Sequence, residues 1–269
     1  MYLCAAWNET LDFRTKFHQF QKYNCMPETV KPYDQQGSTK KEEVKQMFDN
    51  IAPTYDFLNR FLSVGTDVLW RKKLLAYLRK SEPTSLLDIA TGTGDVAFEA
   101  ARFLSPESIT GLDLSPGMLE IARRKAAAKG IAVTFIEGDS EHLPFPDNRY
   151  GAATVAFGVR NFENLSAGIK EIFRVLEPGG GLFILEFSRP RIFPIKQVFH
   201  IYFKYLLPLI GKLKSRDARA YRYLYESVQV FPEYREMQGI LEAAGFRNCV
   251  YRPLSFGICT IYLGYKPGH

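Results

Sequence analysis

The chain has 269 residues, 46% of them hydrophobic and 24% charged, with a net charge of +6 and a pI near 9.0. This is the composition of a globular protein with a sizeable core, and no apolar run reaches the ~18 residues that a transmembrane helix needs. Cys4, Cys25, Cys249 and Cys259 form no C-x-x-C and keep no regular spacing, which points to a reducing, cytoplasmic setting. His18, His142, His200 and His269 lack the paired spacing of a metal site, so no metal is expected.

Residues 1–39 read as an extension, flexible and loosely attached, and 40–269 as the folded domain. Residues 1–25 lack the apolar core of a secretory signal, and Met26 offers an alternative start. Pro27 to Thr39 is polar, with Pro32, Gly37 and Ser38, and reads as a lead-in that is flexible or orders on binding. Lys40 to Asn50 predicts a charged helix with Val44, Met47 and Phe48 on one side, broken at Pro53. A short apolar helix follows over Phe57 to Leu62. Thr66 or Asp67 is suited to cap the next, Val68 to Leu78, whose stripe Leu69, Trp70, Leu74, Leu75 and Leu78 would pack on a sheet.

The stretch Ser85 to Ala101, SLLDIATGTGDVAFEAA, organises the rest. Leu86, Leu87 and Ile89 predict a strand buried on both faces. Gly92-Thr93-Gly94 then turns the chain into a helix opened by Asp95. Glycines admit close approach of a ligand, and the helix start offers unpaired N–H groups. Gly92-x-Gly94-x-x-Ala97 fits the dinucleotide fingerprint, a weak signal by itself. Two acids sharpen it. Asp88 stands where dinucleotide dehydrogenases normally carry an apolar residue. Asp113 ends the next apolar run, where a carboxylate can accept from both hydroxyls of a ribose. The glycine loop and both acids resemble the class I S-adenosylmethionine (SAM) methyltransferases. The resemblance implies that Asp88 helps to hold the methionine end of the cofactor and Asp113 its ribose.

Further along, Ser115 and Pro116 make a good helix start, and Gly130 a good stop near Lys129. Ala132 to Ile136 reads as the third strand. Gly138-Asp139-Ser140 leaves its carboxyl end, where open α/β sheets bind ligands, and Asp139 is placed for an adenine amino group; its plainer reading is a loop acid or N-cap. Tyr150 to Phe157 is the fourth strand, followed by Gly158-Val159-Arg160-Asn161. A helix over Ser166 to Leu176 ends at Glu177-Pro178-Gly179-Gly180-Gly181, and Leu182 to Phe187 is the fifth strand. Glu233 to Ala244 reads as a helix closed by Gly245, and Arg247 to Arg252 and Ile258 to Tyr265 as a closing hairpin. Four successive strand–helix units predict an α/β fold: a doubly wound, mostly parallel, Rossmann-like sheet with an N-terminal helical segment and a helical insertion before the last strands.

That insertion, 188–232, is dense in large apolar residues from Val198 to Ile210, punctuated by Arg191, Lys196, Lys204, Lys212, Lys214 and Arg216. Three readings stay open: a lid over an apolar substrate, a surface meeting lipid phosphates, or an ordinary core helix pair.

Several stretches carry a narrower resemblance: Phe48 to Asp56 with Asn59, the FGVRN run Phe157 to Asn161, Leu185 to Ser188, the YRYLYESVQVFP run Tyr221 to Pro232, and Gly264-Tyr265-Lys266. Together they resemble the demethylmenaquinone and 2-polyprenyl-benzoquinol C-methyltransferases, over about Glu42 to Lys266. The resemblance implies SAM as methyl donor, with contacts on Thr93, Asp113, Asp139 and Ser140, and a polyprenylated quinol as acceptor. It implies menaquinone or ubiquinone biosynthesis and transient contact with a membrane surface at the inner face of the cell membrane. A homodimer is compatible with it. One position departs: the family often has a serine where this chain has Ala156. Transfer to a ring carbon needs a partly deprotonated hydroxyl, so Arg160 is expected to favour the phenolate with help from Asn161; its plainer reading is an ion pair with a nearby acid such as Glu186 that fixes the loop. His142, Glu186 or a water held by Arg160 would accept the ring proton.

Rival readings are an RNA or small-molecule methyltransferase, a catalytically silent SAM-binding subunit, and a dehydrogenase. Bases interleaved with large apolar residues favour lipid over nucleic acid, the intact cofactor motif argues against a silent subunit, and Asp88 argues against a dehydrogenase.

Overall fold

The computed structural model describes residues 30–63, 65–202 and 218–268. Residues 1–25 lie outside them, as does the charged apolar stretch 203–217 of the insertion. Seven strands form one sheet in the order β3-β2-β1-β4-β5-β7-β6. They are β1 Leu86–Ile89, β2 Ile109–Asp113, β3 Thr134–Glu137, β4 Tyr150–Ala156, β5 Leu176–Phe187, β6 Arg247–Leu254 and β7 Cys259–Tyr265. The first five are parallel, and β7 runs antiparallel to both β5 and β6. The chain reverses its direction of travel across the sheet at β1 and β4, the kind of crevice where open α/β sheets bind ligands.

Alternation along β1 explains the layering. All four of its residues are buried. Successive side chains leave opposite faces. Leu86 joins a core with Trp70, Leu74, Val96, Ile109 and Leu119, whereas Leu87 and Ile89 join one with Ile169, Ile172, Met237 and Leu241. Helices α3 (Thr66–Lys80), α4 (Asp95–Ala100) and α5 (Pro116–Lys129) supply the first layer; α6 (Leu165–Val175) and α9 (Arg235–Ala243) supply the other. Local chemistry sets several ends as expected. The Ser115 hydroxyl caps α5 by accepting from Met118 N–H at 3.1 Å, and Gly130 closes the helix in the left-handed region.

Some expectations need correction. Neither Thr66 nor Asp67 caps α3: Gly65 holds that place with φ +75°, and Asp67 instead takes the Ser63 hydroxyl and pairs with Arg71 at 2.8 Å. Leu69 is 64% exposed and leaves the packed stripe to Trp70, Leu74, Leu75 and Leu78. Strand β5 starts at Leu176, not Leu182, because Leu176 pairs with Tyr150 and the glycine run is absorbed through a shift of register.

The N-terminal cover consists of α1 (Lys40–Ile51) and α2 (Tyr55–Leu62). A capping box between Thr39 and Glu42 starts α1. Residues 30–39, placed in the flexible extension by composition, pack on this cover. Glu43 is buried and accepts the N–H groups of Tyr33, Asp34 and Gln35 and the Ser38 hydroxyl, while Val30 and Tyr33 lie against Val44 and Met47. In the insertion, α7 (Ile195–Ile201) and α8 (Ala218–Val230) are described. Ala220 and Tyr223 of α8 pack on Val44 and Met47 of α1.

Gly158 shows how closely the strand ends meet. A Cβ there would stand 2.4 Å from the Cβ of Ala90, in the loop after β1. Its φ of −114° is open to any residue, so the contact alone demands glycine. Gly158→Ala should therefore lower stability by about 1–3 kcal/mol, the usual cost of forcing atoms into a packed site. The shift would be read as a lower denaturant midpoint at unchanged slope. A midpoint equal to the parent's would show that the Ala90 loop gives way freely.

Candidate active site

The glycine loop is built by backbone geometry and two acids. After β1, Ala90 and Gly92 turn with φ of +53° and +57°, and Gly94 starts α4 with φ +86°. A Cβ at Gly94 would meet Phe98 at 2.8 Å. Asp113, at the end of β2, accepts Gly92 N–H at 2.7 Å and Ser115 N–H at 2.9 Å. It thereby ties the loop after β1 to the start of α5. Burial pushes its carboxyl up to about 6, against the pull of those N–H groups.

A first cleft, open to solvent, spans about 660 Å³ and is lined by Gly92, Asp113, Asp139, Ser140, Ala156 and Asn161, with Lys41, Val44, Phe48 and Tyr55 of the cover above them. Asp139 is held by Lys41 Nζ at 2.5 Å and by Glu141 N–H at 2.9 Å. Partial burial pushes its carboxyl up, but those donors outweigh it and leave the pKa below the usual value. Ala156 puts a methyl where a hydroxyl was expected in the wall.

A second cleft, also open to solvent and spanning about 820 Å³, lies beside the first. Met47, Ile51, Phe187, Tyr221, Tyr223 and Leu224 make its lining mostly apolar, while Asn59, Ser63, Asp67, Arg71 and Arg160 add polar groups to its wall. Phe48, Tyr55 and Phe157 line both spaces and form their common partition. Consecutive residues thus face different chambers: Arg160 the second, Asn161 the first.

Three cofactor candidates do not line the first cleft. Asp88 is fully enclosed, with Thr91 and Thr154 hydroxyls donating at 2.6 and 2.7 Å. Burial raises it to about 6. It braces the loop from below through these two hydroxyls. Thr93 turns toward the cover, donating to Asp56 at 2.5 Å and accepting from Lys125 at 2.9 Å. Gly94 serves the turn alone.

Among the acid–base candidates, His142 is 82% exposed, lines neither space, and leans on Asp139. That position removes it as a proton acceptor at the acceptor ring. Glu186 is wholly buried and paired with Arg160 Nη1 at 2.7 Å; it also accepts Phe187 N–H. It is a counter-ion rather than a free base. Arg160 also donates to Phe157 O at 2.6 Å, and its Nε is buried without a hydrogen-bond partner. Lys41, Phe48, Tyr55 and Tyr223 were missed as site residues. For Lys41 and Phe48 the signal was helical spacing, since Lys41, Val44 and Phe48 share one face of α1, whereas Tyr55 and Tyr223 lie on α2 and α8 and are brought in by packing.

The family model described as the ubiE/COQ5 methyltransferase family matches residues 36–266. The chain belongs to this family. It is 46% identical to the demethylmenaquinone methyltransferase of Bacteroides fragilis over 90% of this chain and all of that one. It is 43% identical to the ubiquinone/menaquinone biosynthesis C-methyltransferase of Geobacter sulfurreducens, covering 91% and 95%. Among solved structures, a SAM-dependent methyltransferase of Thermotoga maritima matches with a TM-score of 0.61 at 17% identity, over 82% of this chain and 99% of that one, which shows the shared fold.

The Asp113 carboxyl makes a pH test possible. Its folded pKa of about 6 lies above the ordinary 3.8, so between these values the folded chain holds a proton that the unfolded chain has released. This group's contribution to stability therefore falls as pH rises from about 4 to about 6 and is level above. In Asp113→Asn the contribution is absent, and so is the Asp113 charge that helps to raise Asp88, a loss that acts in the same direction. The difference in unfolding free energy, parent minus variant, should decline across that window in denaturant titrations. A difference that stays constant from pH 4 to pH 7 would mean that Asp113 is solvated.

Proposed function

We propose that the protein transfers a methyl group from SAM to a ring carbon of a polyprenylated quinol, converting demethylmenaquinol to menaquinol. Family membership and the names of its relatives support a C-methyltransferase of quinone biosynthesis. One observation carries the reading: a polar cleft built around a buried carboxylate shares an aromatic partition with a larger apolar chamber. Relatives named for demethylmenaquinone alone, as in B. fragilis and Thermus thermophilus, favour the naphthoquinol over the benzoquinol.

The residues fit SAM. Asp113 spends two acceptor positions on Gly92 and Ser115, and an ionised carboxylate keeps others for ribose hydroxyls. Asp139 and Ser140 stand in the cleft for the base. When bound, SAM supplies an electrophilic methyl on its sulfonium. The protein's part is placement and charge. Phe48, Tyr55 and Phe157 hold the partition between donor and acceptor spaces and keep water out. Arg160, whose side chain reaches the wall of the acceptor space, is the group that favours the phenolate as charge develops. Neither His142 nor Glu186 is placed to take the ring proton, which leaves water beside Arg160 as the acceptor that fits.

A membrane surface fits the insertion. No helix among the described residues is long and apolar enough to cross a membrane. On and before α7, however, Ile192, Phe193, Val198 and Ile201 are exposed, between 56% and 78%, while Phe199 turns inward onto Tyr221 and Val228. Arg191 and Lys196 stand exposed among them. Apolar side chains interleaved with bases suit an anionic lipid boundary from which a prenylated substrate is drawn.

Two outcomes are expected. Purified protein with SAM should methylate the reduced naphthoquinol and leave the oxidised quinone untouched, because only the quinol yields a phenolate; equal turnover of both forms would refute the mechanism. Asp113→Asn should weaken SAM binding by about 1–3 kcal/mol in calorimetric titration at pH 7, since a neutral amide replaces an ionised acceptor. Unchanged SAM affinity would remove Asp113 from the cofactor site.

A further inference from the structure

Tyr223 of α8 is 2% exposed and lines the apolar chamber. Its hydroxyl donates to Asn161 Oδ1 at 3.1 Å, and Asn161 lines the polar cleft. The bond therefore runs from one chamber to the other. Burial pushes the Tyr223 phenol far up, and the Glu186 and Glu43 charges add to this against the pull of Arg160. The phenol thus keeps its proton at any working pH and can act as a donor.

A side-chain amide has an oxygen and an NH2 group of nearly equal shape, so its environment decides which points where. A phenol that donates selects the orientation with Oδ1 toward Tyr223 and Nδ2 turned away. We propose that Tyr223 is a positioning residue for methyl transfer: by holding Asn161 Oδ1, it turns the amide NH2 to the boundary of the two chambers, where it donates to an oxygen of the acceptor ring. The amide keeps its protons throughout; the hydrogen bond strengthens as negative charge gathers on that oxygen. This inference rests on the methyl-transfer reading above. It gives the insertion a part in the chemistry, since α8 reaches the cleft through this residue.

The test uses the full chain, SAM, and a chemically reduced short-chain naphthoquinol lacking the ring methyl. Tyr223→Phe removes one oxygen and keeps the ring. It should lower kcat by about 10–100-fold, as for a misoriented reacting pair, with SAM affinity within about twofold and little change in melting temperature. Asn161→Asp accepts from the phenol equally well but offers a carboxylate oxygen in place of NH2, so it should lose at least as much. Combining the two should cost no more than Asn161→Asp alone. Parental kcat in Tyr223→Phe, a loss that tracks SAM affinity or melting temperature, or additive losses would each overturn the proposal. If Tyr223→Phe does not fold, Asn161→Asp decides: parental kcat there excludes the amide donor, and a lost kcat with intact SAM binding supports it. Failure of the parent protein to methylate the quinol would instead refute the proposed function, so the two failures are distinct.

Discussion

The architecture of the site depends on one carboxylate with two duties. Asp113 sits at the carboxyl end of β2 and accepts N–H groups from the loop after β1 and from the first turn of α5. Those bonds fix the Gly92 turn and the α5 start relative to each other. Burial in this position costs free energy, which the raised pKa of about 6 records. Asp88, directly below, carries the same load and braces the scaffold through Thr91 and Thr154. The strand ends are thus held by two acids that are costly to ionise, and the outer one retains lone pairs for a ligand.

The cover is attached differently. Helices α1 and α2 meet the strand ends largely through charges: Lys41 with Asp139, Asp56 with Lys125 and Thr93, and Lys40 Nζ with the carbonyls of Arg160 and Phe162 at 3.0 and 2.8 Å. Burial, helped by the Arg160 charge, lowers Lys40 to about 8. Partly exposed ion pairs contribute little individually. A cover fixed by many such contacts, over a cleft its aromatic residues help to line, can be held in place and still open for exchange of a ligand. Its apolar anchor is elsewhere, in Val44 and Met47 against Tyr223 of the insertion. The cover and the insertion therefore share a seam, and the apolar chamber lies along it.

Sequence reasoning reached what local chemistry decides. Ser115, Pro116 and Gly130 bound α5 because capping and the left-handed stop involve neighbours only a few residues apart. The sheet followed from alternating apolar runs. Side-chain direction did not follow. Thr93 stands in the glycine loop, yet its hydroxyl turns to Asp56, 37 positions earlier in the chain. A motif locates its backbone, but not a partner brought by another element. His142 illustrates the opposite case: two residues beyond the cleft-lining Ser140, it is carried out into solvent by the turn joining Asp139 and His142. Leu69 kept helical spacing but fell at the margin of the buried stripe, where a rotation of a few tens of degrees decides exposure.

Arg160 shows why a structural and a chemical reading of one residue need not compete. An isolated guanidinium beside an apolar chamber would be prohibitively costly, so a buried partner is a condition of its being there. Glu186 is that partner, wholly enclosed on β5. Removing either one leaves the other buried and unpaired, typically at 3–5 kcal/mol, so loss of stability on substitution says little about catalysis. The geometry separates the two duties within the side chain. Nη1 is committed to Glu186 and the Phe157 carbonyl, whereas the buried Nε has no partner among the described residues. Pairing neutralises the guanidinium seen from a distance, so an effect of Arg160 on a neighbouring group is exerted at short range rather than through a long-range field.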